Sequence, residues 1–260
     1  DNIITLRTLN KCGYTGRVYY VIDNEDKTID KYIKNFGKDS VKIFDKKAMA
    51  DSIDECNNFD ERRTITHARN ACFNIAKELG IKYFIELDDD YGSFMYRFDN
   101  GSKVVSNMDD VFIAFLRFFE STNINTIAFA QGGDFIGGFP GLHMKRKAMN
   151  SFICSTDRPF SFIGAMNEDV NTYTTLSSRG EIFLTFTGLQ LCQKQTQSQE
   201  SGITDMYLRY GTYCKAFTTV MNMPSSVKVS MMNSSNPRIH HLIKWKNTTP
   251  MIIPEIFKKV

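Results

Sequence analysis

The sequence predicts an α/β fold in which a mainly parallel β-sheet is flanked by helices. In the first half of the chain, apolar and β-branched runs alternate with segments of helical periodicity, which is typical of strands joined by covering helices. The hydrophobic fraction of 42% and the charged fraction of 23% are those of a chain that buries an ordinary core. We expect one domain over residues 1–260, with a regular half at 1–131 and a more irregular half at 132–260.

Each element of the regular half follows from its spacing or composition. The clearest helix is predicted at 61–79, where apolar side chains recur three or four residues apart and Gly80 supplies the C-terminal stop. β-branched and aromatic runs predict the strands. In chain order we expect helix 2–9, strand 17–22, helix 27–36, strand 41–44, helix 61–79, strand 82–87, helix 108–120, strand 125–130 and strand 181–186. Glycine pairs at 132–141, a helix at 203–210 and a turn-rich tail at 233–260 complete the prediction.

Composition argues against several functional classes. The net charge is only +3 without a long basic block, so strong non-specific binding of nucleic acid is not indicated. None of the six cysteines forms a CxxC pair, which disfavours a zinc knuckle and favours reduced thiols in a cytoplasmic protein. No apolar run reaches the roughly 20 residues that a membrane span needs, and no signal peptide is visible. We therefore expect a cytoplasmic protein without a membrane partner.

Two acidic turns follow predicted strands directly. The first acidic turn (residues 23–26) contains Asp23 and Asp26, and the second acidic turn (residues 88–90) is Asp88, Asp89 and Asp90. Ligands of α/β sheets bind beyond the carboxyl ends of strands. Adjacent carboxylates repel one another unless a cation neutralises them, and residues two apart at a strand end face the same side. Asp88 and Asp90 are therefore candidate oxygen ligands of Mg²⁺ or Mn²⁺, with a solvated turn as the alternative.

Four motifs carry a family resemblance: THARN (66–70), DDDY (88–91), MNEDVN (166–171) and RIHH (238–241). The first two resemble GT-A-fold glycosyltransferases, in which an Ala-Arg-Asn helix precedes a strand ending in Asp-x-Asp. All four together resemble the TET/JBP-associated glycosyltransferases of phages over nearly the whole chain. The resemblance implies a nucleotide-sugar-binding half at 1–131, an acceptor-binding half at 132–260, and a first strand that lies upstream of residue 1 or is replaced.

The resemblance also implies roles for the metal and the base. Asp88 and Asp90 would hold a divalent ion, Mn²⁺ or Mg²⁺, that bridges the donor diphosphate, and Asp89 would face the ribose or the sugar. Asp169 is the favoured base for the acceptor hydroxyl and Glu168 is the second choice, while the alternative is an acidic pair that complements a helix dipole. A late histidine would complete the metal shell, and the choice is open between His240 and His241.

Other residues are candidate contacts of the nucleotide-sugar donor. The guanidinium of Arg69 could bind diphosphate or nucleobase oxygens, or instead form a salt bridge to the second acidic turn. Asp23 and Asp26 lie where related enzymes contact the nucleobase, with a solvated turn as the alternative for both. Lys215 and Arg238 could bind phosphates. Two weaker candidates are a glycine-rich lid over residues 137–141 and a stacking surface formed by Trp245 with the aromatics of 207–213, for which a surface loop and core packing are the alternatives.

The leading functional hypothesis is transfer of a sugar from a nucleotide sugar to an acceptor hydroxyl. By resemblance, we expect an inverting hexosyl- or pentosyltransferase that uses a UDP-sugar and modifies a hydroxymethylated pyrimidine, such as hydroxymethylcytosine, in phage DNA. The protein would then work in the cytoplasm of the infected bacterium. The alternatives are a protein or glycan acceptor, a nucleotidyltransferase, and a nucleotide-sugar-binding module without catalysis. The sequence leaves the oligomeric state open.

Overall fold

The computed structural model describes residues 3–54, 62–135, 141–193, 211, 213–232 and 237–249. Within them, the helices are α1 (Ile4–Lys11), α2 (Ile29–Phe36), α3 (Lys46–Asp51), α4 (Thr66–Glu78), α5 (Met108–Glu120), α6 (Glu168–Ser177) and α7 (Tyr213–Asn222). The strands are β1 (Tyr20–Asp23), β2 (Val41–Phe44), β3 (Tyr83–Leu87), β4 (Tyr91–Phe98), β5 (Gly101–Val104), β6 (Thr126–Ala130), β7 (Leu142–His143), β8 (Ser151–Ser155), β9 (Phe183–Gln193), β10 (Val227–Met232) and β11 (Arg238–Ile243). Short 3₁₀ helices cover Gly132–Phe135 and Trp245–Asn247.

The main sheet is mixed, so the predicted α/β class is confirmed while the prediction of a mainly parallel sheet is wrong. Its strands lie in the order β3-β8-β6-β9-β4-β5, and β7 pairs with β9. β8 runs antiparallel to both β3 and β6, whereas β6 and β9 pair in parallel. β3 and β6 of the regular half do share a direction, but β8 from the second half lies between them. β1 and β2 form a separate parallel pair.

Helices cover both faces of the main sheet. β6 and β8 are buried along their whole length, and alternate residues of each strand face opposite sides. Ile127, Phe129 and Ile153 pack with α1 and α5 in one apolar cluster. Ala128, Phe152 and Cys154 pack with α4 and α6 in the other. The apolar spacing of α5 explains its place, because the buried side chains recur three or four residues apart: Met108, Val111, Phe112, Phe115 and Phe119.

The second half is more regular than predicted. It supplies β8 and β9 to the main sheet, and β10 pairs antiparallel with β11, which lies inside the region predicted as a turn-rich tail. The strand predicted at 181–186 extends through Phe183–Gln193, because its second part pairs with β4. The predicted helix at 203–210 lies outside the described residues.

Two further sequence predictions concern membranes and thiols. In the part of the chain that the structure describes, every helix is too short or too polar to cross a lipid bilayer. Four of the described cysteines are free thiols: Cys12, Cys72, Cys154 and Cys192.

Candidate functional site

A cleft of about 1370 Å³ opens at the carboxyl ends of β1 and β3. Both acidic turns line it, so the two strand ends face a common space. Most of the predicted site residues are brought together here, although they come from distant parts of the chain. They are Asp23, Asp26, Arg69, Asp88, Asp89, Asp90, Glu168, Asp169 and Lys215.

Arg69 is the centre of the site. Its side chain on α4 is buried, and its guanidinium donates from Nη1 to Glu168 Oε1 at 2.7 Å and from Nη2 to Asp88 Oδ1 at 3.1 Å. The guanidinium also packs over the rings of Phe152 and Phe162, with its carbon 5.1 and 5.3 Å from their centroids. Burial alone would lower the pKa of Arg69, but the carboxylates of Asp88 and Glu168 raise it. The salt bridge anticipated from the sequence is therefore present, and it joins the second acidic turn to the start of α6.

Glu168 and Asp169 are the first two residues of α6 and are 7% and 5% exposed. Their position agrees with the dipole-complementing alternative, yet Glu168 also serves as the second partner of Arg69. Burial raises the pKa of Glu168 to about 7, although Arg69 opposes the shift. Asp169 Oδ1 accepts the amide of Val170 at 2.7 Å. A buried carboxyl that titrates near neutrality can exchange protons at working pH.

The second acidic turn is clamped from two sides. On one side, Thr5 of α1 donates its hydroxyl to the Asp88 carbonyl at 2.6 Å and its amide to the Asp89 carbonyl at 3.0 Å. On the other side, the hydroxyl of the buried Tyr91 accepts the Asp88 amide at 3.1 Å and donates to the carbonyl of Asn150. The backbone of the turn is therefore held before any ligand binds, which reduces the cost of ordering it.

The side chains of the second acidic turn fit a hard divalent cation in donor chemistry. Asp90 Oδ2 accepts from Gln193 at 3.2 Å, while Asp90 Oδ1 is buried and makes no hydrogen bond. A buried carboxylate oxygen without a partner is costly unless a donor or cation meets it, and burial accordingly raises the pKa of Asp90. Asp88 and Asp90 are the residues that would hold the ion. Among the described residues, no group of three His, Cys, Asp or Glu side chains is arranged to hold a metal ion, so these two would share it with the donor phosphates or water.

The late histidines lie on β11 beside the cleft. Their rings are 4.1 Å apart, and His241 Nδ1 lies 3.3 Å from the amide nitrogen of Asn167, which lines the cleft. Burial, then His240, then Lys215 lower the pKa of His241 to about 3. Of the described residues, the ones that line the cleft do not include Arg238, His240 or His241, whereas Lys215 of α7 does line it. The structure thus places these histidines behind Asn167, and their role in metal binding stays a prediction.

The first acidic turn has a different environment. Asp23 accepts the amide of Glu25 at 3.0 Å and pairs with Lys46 at 3.3 Å. Asp26 accepts both the amide and the hydroxyl of Thr28 at 2.7 Å. Apart from the pair with Lys46, these are local turn contacts, as in the solvated-turn alternative, and the turn nevertheless borders the cleft.

Several residues of the site are absent from the sequence prediction. Asn167 has the left-handed φ of 54° and donates to the carbonyl of Lys215 at 2.7 Å, which ties α6 to α7. Gln193 and Asn150 line the cleft beside Asp90. Asn167 stands in the MNEDVN motif, so the sequence did mark it. Gln193 and Asn150 have no local signal, because their roles depend on strand pairing. Trp245 stacks on Tyr173 at 5.7 Å, consistent with core packing, and residues 137–140 of the predicted lid and 207–210 of the aromatic segment lie outside the described residues.

Comparison with known proteins gives the family. No curated protein and no solved structure matches the chain. The model of the family described as TET-Associated Glycosyltransferase matches residues 1–202, which include α4, the second acidic turn and α6. Lys215, Arg238 and the late histidines lie beyond the matched residues. The chain belongs to the TET-associated glycosyltransferase family, as its motifs predicted.

Proposed function

We propose that this glycosyltransferase moves a sugar from a UDP-sugar to the hydroxyl of a hydroxymethylated pyrimidine in phage DNA, with the help of Mn²⁺ or Mg²⁺. The observation that carries the proposal is the bridge made by Arg69. One guanidinium holds Asp88 of the second acidic turn and Glu168 of α6, so the candidate phosphate-binding edge and the candidate base share one cleft. Family membership supports the reaction class, and the acceptor rests on the motif resemblance. The proposed setting is the cytoplasm of the infected bacterium.

In the proposed reaction, each side chain has one task. An ion bound by Asp88 and Asp90 would supply positive charge against the leaving nucleoside diphosphate. Asp169 takes the proton of the acceptor hydroxyl. The acceptor oxygen then forms the bond to the anomeric carbon as the bond between the sugar and the phosphate breaks. This direct displacement inverts the anomeric centre. Glu168 holds Arg69, whose remaining donors face the donor phosphates.

In this proposal, residues at the edges of the cleft select the nucleotide and bind the phosphates. Asp23 and Asp26 would contact the base or ribose from the first acidic turn, and Asp89 would contact the ribose or the sugar. Lys215 and Arg238 would bind phosphates from the α7–β11 side. A histidine of β11, His240 or His241, would approach the ion only after a shift of Asn167.

The decisive experiment is mass spectrometry of nucleosides after incubation of the protein with Mn²⁺, a panel of UDP-hexoses and UDP-pentoses, and duplex DNA containing 5-hydroxymethylcytosine. We expect a hexose or pentose mass increment on the modified base and none on unmodified DNA. Transfer to peptides or glycans instead would overturn the acceptor, and addition of a nucleotide would overturn the reaction class. Donor binding without turnover on any acceptor would favour a binding module.

Two variants test the roles within the reaction. Asp90→Ala is expected to lose transfer by at least about 100-fold and to keep the fold, because a missing charge contact in the transition state costs this much. Asp169→Asn is expected to keep donor affinity and lose transfer. Activity like that of the wild type in Asp90→Ala would contradict the metal assignment, and loss of donor binding in Asp169→Asn would move this residue to the donor site.

A further inference from the structure

A directed chain of hydrogen bonds ends on Asp90. Asn150 donates from Nδ2 to Gln193 Oε1 at 2.7 Å, and Gln193 donates from Nε2 to Asp90 Oδ2 at 3.2 Å. Asp90 sets the orientation of the Gln193 amide, because an ionised carboxylate only accepts hydrogen bonds, and the Gln193 oxygen then faces the NH₂ group of Asn150. The amide of Gln193 therefore presents a donor, and not a carbonyl oxygen, to Asp90.

The chain is anchored at three strand ends. Asn150 immediately precedes β8 and has a φ of 60°, a conformation that asparagine tolerates better than most residues. Its carbonyl accepts the hydroxyl of Tyr91, the first residue of β4. Gln193 is the last residue of β9 and lies opposite Tyr91 in the ladder. Both residues are thus placed at the acidic turn by the main sheet.

The consequence is an asymmetric carboxylate. One oxygen of Asp90 is occupied by Gln193, while the other is buried without a hydrogen bond. Asp90, Gln193 and Asn150 all line the cleft. Groups that bind one oxygen of a metal-ligating carboxylate fix its orientation, and their loss typically weakens metal binding.

We propose that Asn150 and Gln193 are positioning residues that hold Asp90 Oδ2, so that Oδ1 is presented to the divalent cation. Neither side chain touches the substrate or the ion in this proposal. It rests on the proposed function, in which Asp90 is a metal ligand. It adds that the metal affinity of the second acidic turn depends on two amides from other strands.

The test is the affinity of the protein for Mn²⁺ in the presence of UDP, measured by the loss of the free-ion electron paramagnetic resonance signal. We expect Gln193→Leu and Asn150→Gly each to raise the Kd for Mn²⁺ by roughly 10- to 100-fold. Asn150→Gly keeps the left-handed backbone and the carbonyl bonded to Tyr91, so it removes only the amide. The matched control is Gln190→Leu, on the same strand but outside the cleft lining, which should bind Mn²⁺ like the wild type.

A further variant tests the direction of the chain. Asn150→Asp replaces a donor by an acceptor, so the Gln193 amide should turn and present its oxygen to Asp90. We expect this variant to bind Mn²⁺ more weakly than Asn150→Gly, although it adds a negative charge near the site. Binding equal to or tighter than that of Asn150→Gly would overturn the positioning role.

The outcomes separate this inference from the function on which it rests. Weak Mn²⁺ binding by Asp90→Asn together with wild-type binding by Gln193→Leu would overturn the positioning role and keep the metal site. Equal binding by the wild type and Asp90→Asn would overturn the metal assignment. The midpoint of thermal unfolding and the affinity for UDP without metal are measured for every variant. A structural role alone would lower the midpoint without a selective loss of Mn²⁺, and that result would also count against the proposal.

Discussion

The two acidic turns have similar sequences and different surroundings. Both follow a strand directly and both border the cleft. In the first, Asp23 and Asp26 accept hydrogen bonds from their own turn, and the half-buried Lys46 provides the positive charge. In the second, Asp88 faces the buried Arg69, and Asp90 keeps one buried oxygen without a hydrogen bond.

The difference shows that a run of carboxylates does not by itself make a site. Local amides can satisfy acidic side chains, and a turn satisfied in this way has little need of a ligand. The second acidic turn takes its partners from α4 and β9, and the only positive charge among them is the Arg69 guanidinium, which Glu168 shares. A turn that keeps a buried carboxylate oxygen without a hydrogen bond is the better candidate for binding a metal cation.

The sharpest way to test this comparison is to remove the positively charged side chain that pairs with each turn. Arg69→Met leaves Asp88 and Glu168 without their shared partner, and breaking a buried pair in this way costs about 3–5 kcal/mol. Lys46→Met is the matched control, and loss of its pair with Asp23 should cost about 1 kcal/mol or less. Urea unfolding at pH 7.5 measures both free energies of unfolding.

A contradicting outcome and a conservative variant complete this test. A destabilisation by Arg69→Met that is no greater than that by Lys46→Met would mean that the two turns are energetically alike. Arg69→Lys is the conservative variant, and we expect only partial recovery, because a single ammonium lacks the planar fork that reaches two carboxylates.

A second prediction concerns Glu86, which lies two residues before the second acidic turn. It is 7% exposed, and neither of its carboxyl oxygens has a hydrogen bond. Glu86→Met should therefore raise the free energy of unfolding by about 1–3 kcal/mol, the usual cost of a buried polar group without a partner. Burial raises the pKa of Glu86 well above its ordinary value, so the folded state binds the extra proton and loses stability as pH rises. The gain from Glu86→Met, measured by urea unfolding, should accordingly be larger at pH 8 than at pH 4.

A smaller effect should come from Glu168, the other partner of Arg69. Its pKa is raised from 4.5 to about 7 by burial, so between these values the folded protein holds a proton that the unfolded chain has released. The stability of the wild type relative to Glu168→Gln should then fall as pH rises from 4.5 to 7, with a slope of at most about 1.4 kcal/mol per pH unit. Unfolding curves at four pH values test the sign. A relative stability that rises with pH would show that the ion pair with Arg69 outweighs burial.

The sequence predicted the parts of this site that depend on local pattern. The periodicity of α4, the apolar run of β3 and the position of the second acidic turn all follow from neighbouring residues. The partners of the turn do not. Glu168 lies 99 residues from Arg69, and Gln193 lies 103 residues from Asp90. Gln193 reaches Asp90 because β9 pairs with β4, and Glu168 reaches Arg69 because α4 and α6 pack on the same face of the main sheet. Neither arrangement can be read from the residues next to the turn.

The smallest expected effect belongs to the first acidic turn. Asp23→Asn keeps the acceptor for the Glu25 amide and loses only the pair with Lys46, so the free energy of unfolding should change by about 1 kcal/mol or less. If this turn contacts the donor base, KM for the UDP-sugar should rise by up to about tenfold, the equivalent of 1.4 kcal/mol, while kcat stays unchanged, because uniform binding affects KM alone. Steady-state kinetics of Asp23→Asn and Asp90→Asn, measured side by side, make the comparison. For Asp90→Asn, kcat should fall. A fall in kcat for Asp23→Asn as large as that for Asp90→Asn would show that both turns act in the chemical step, and the contrast between them would then be one of surroundings without consequence for function.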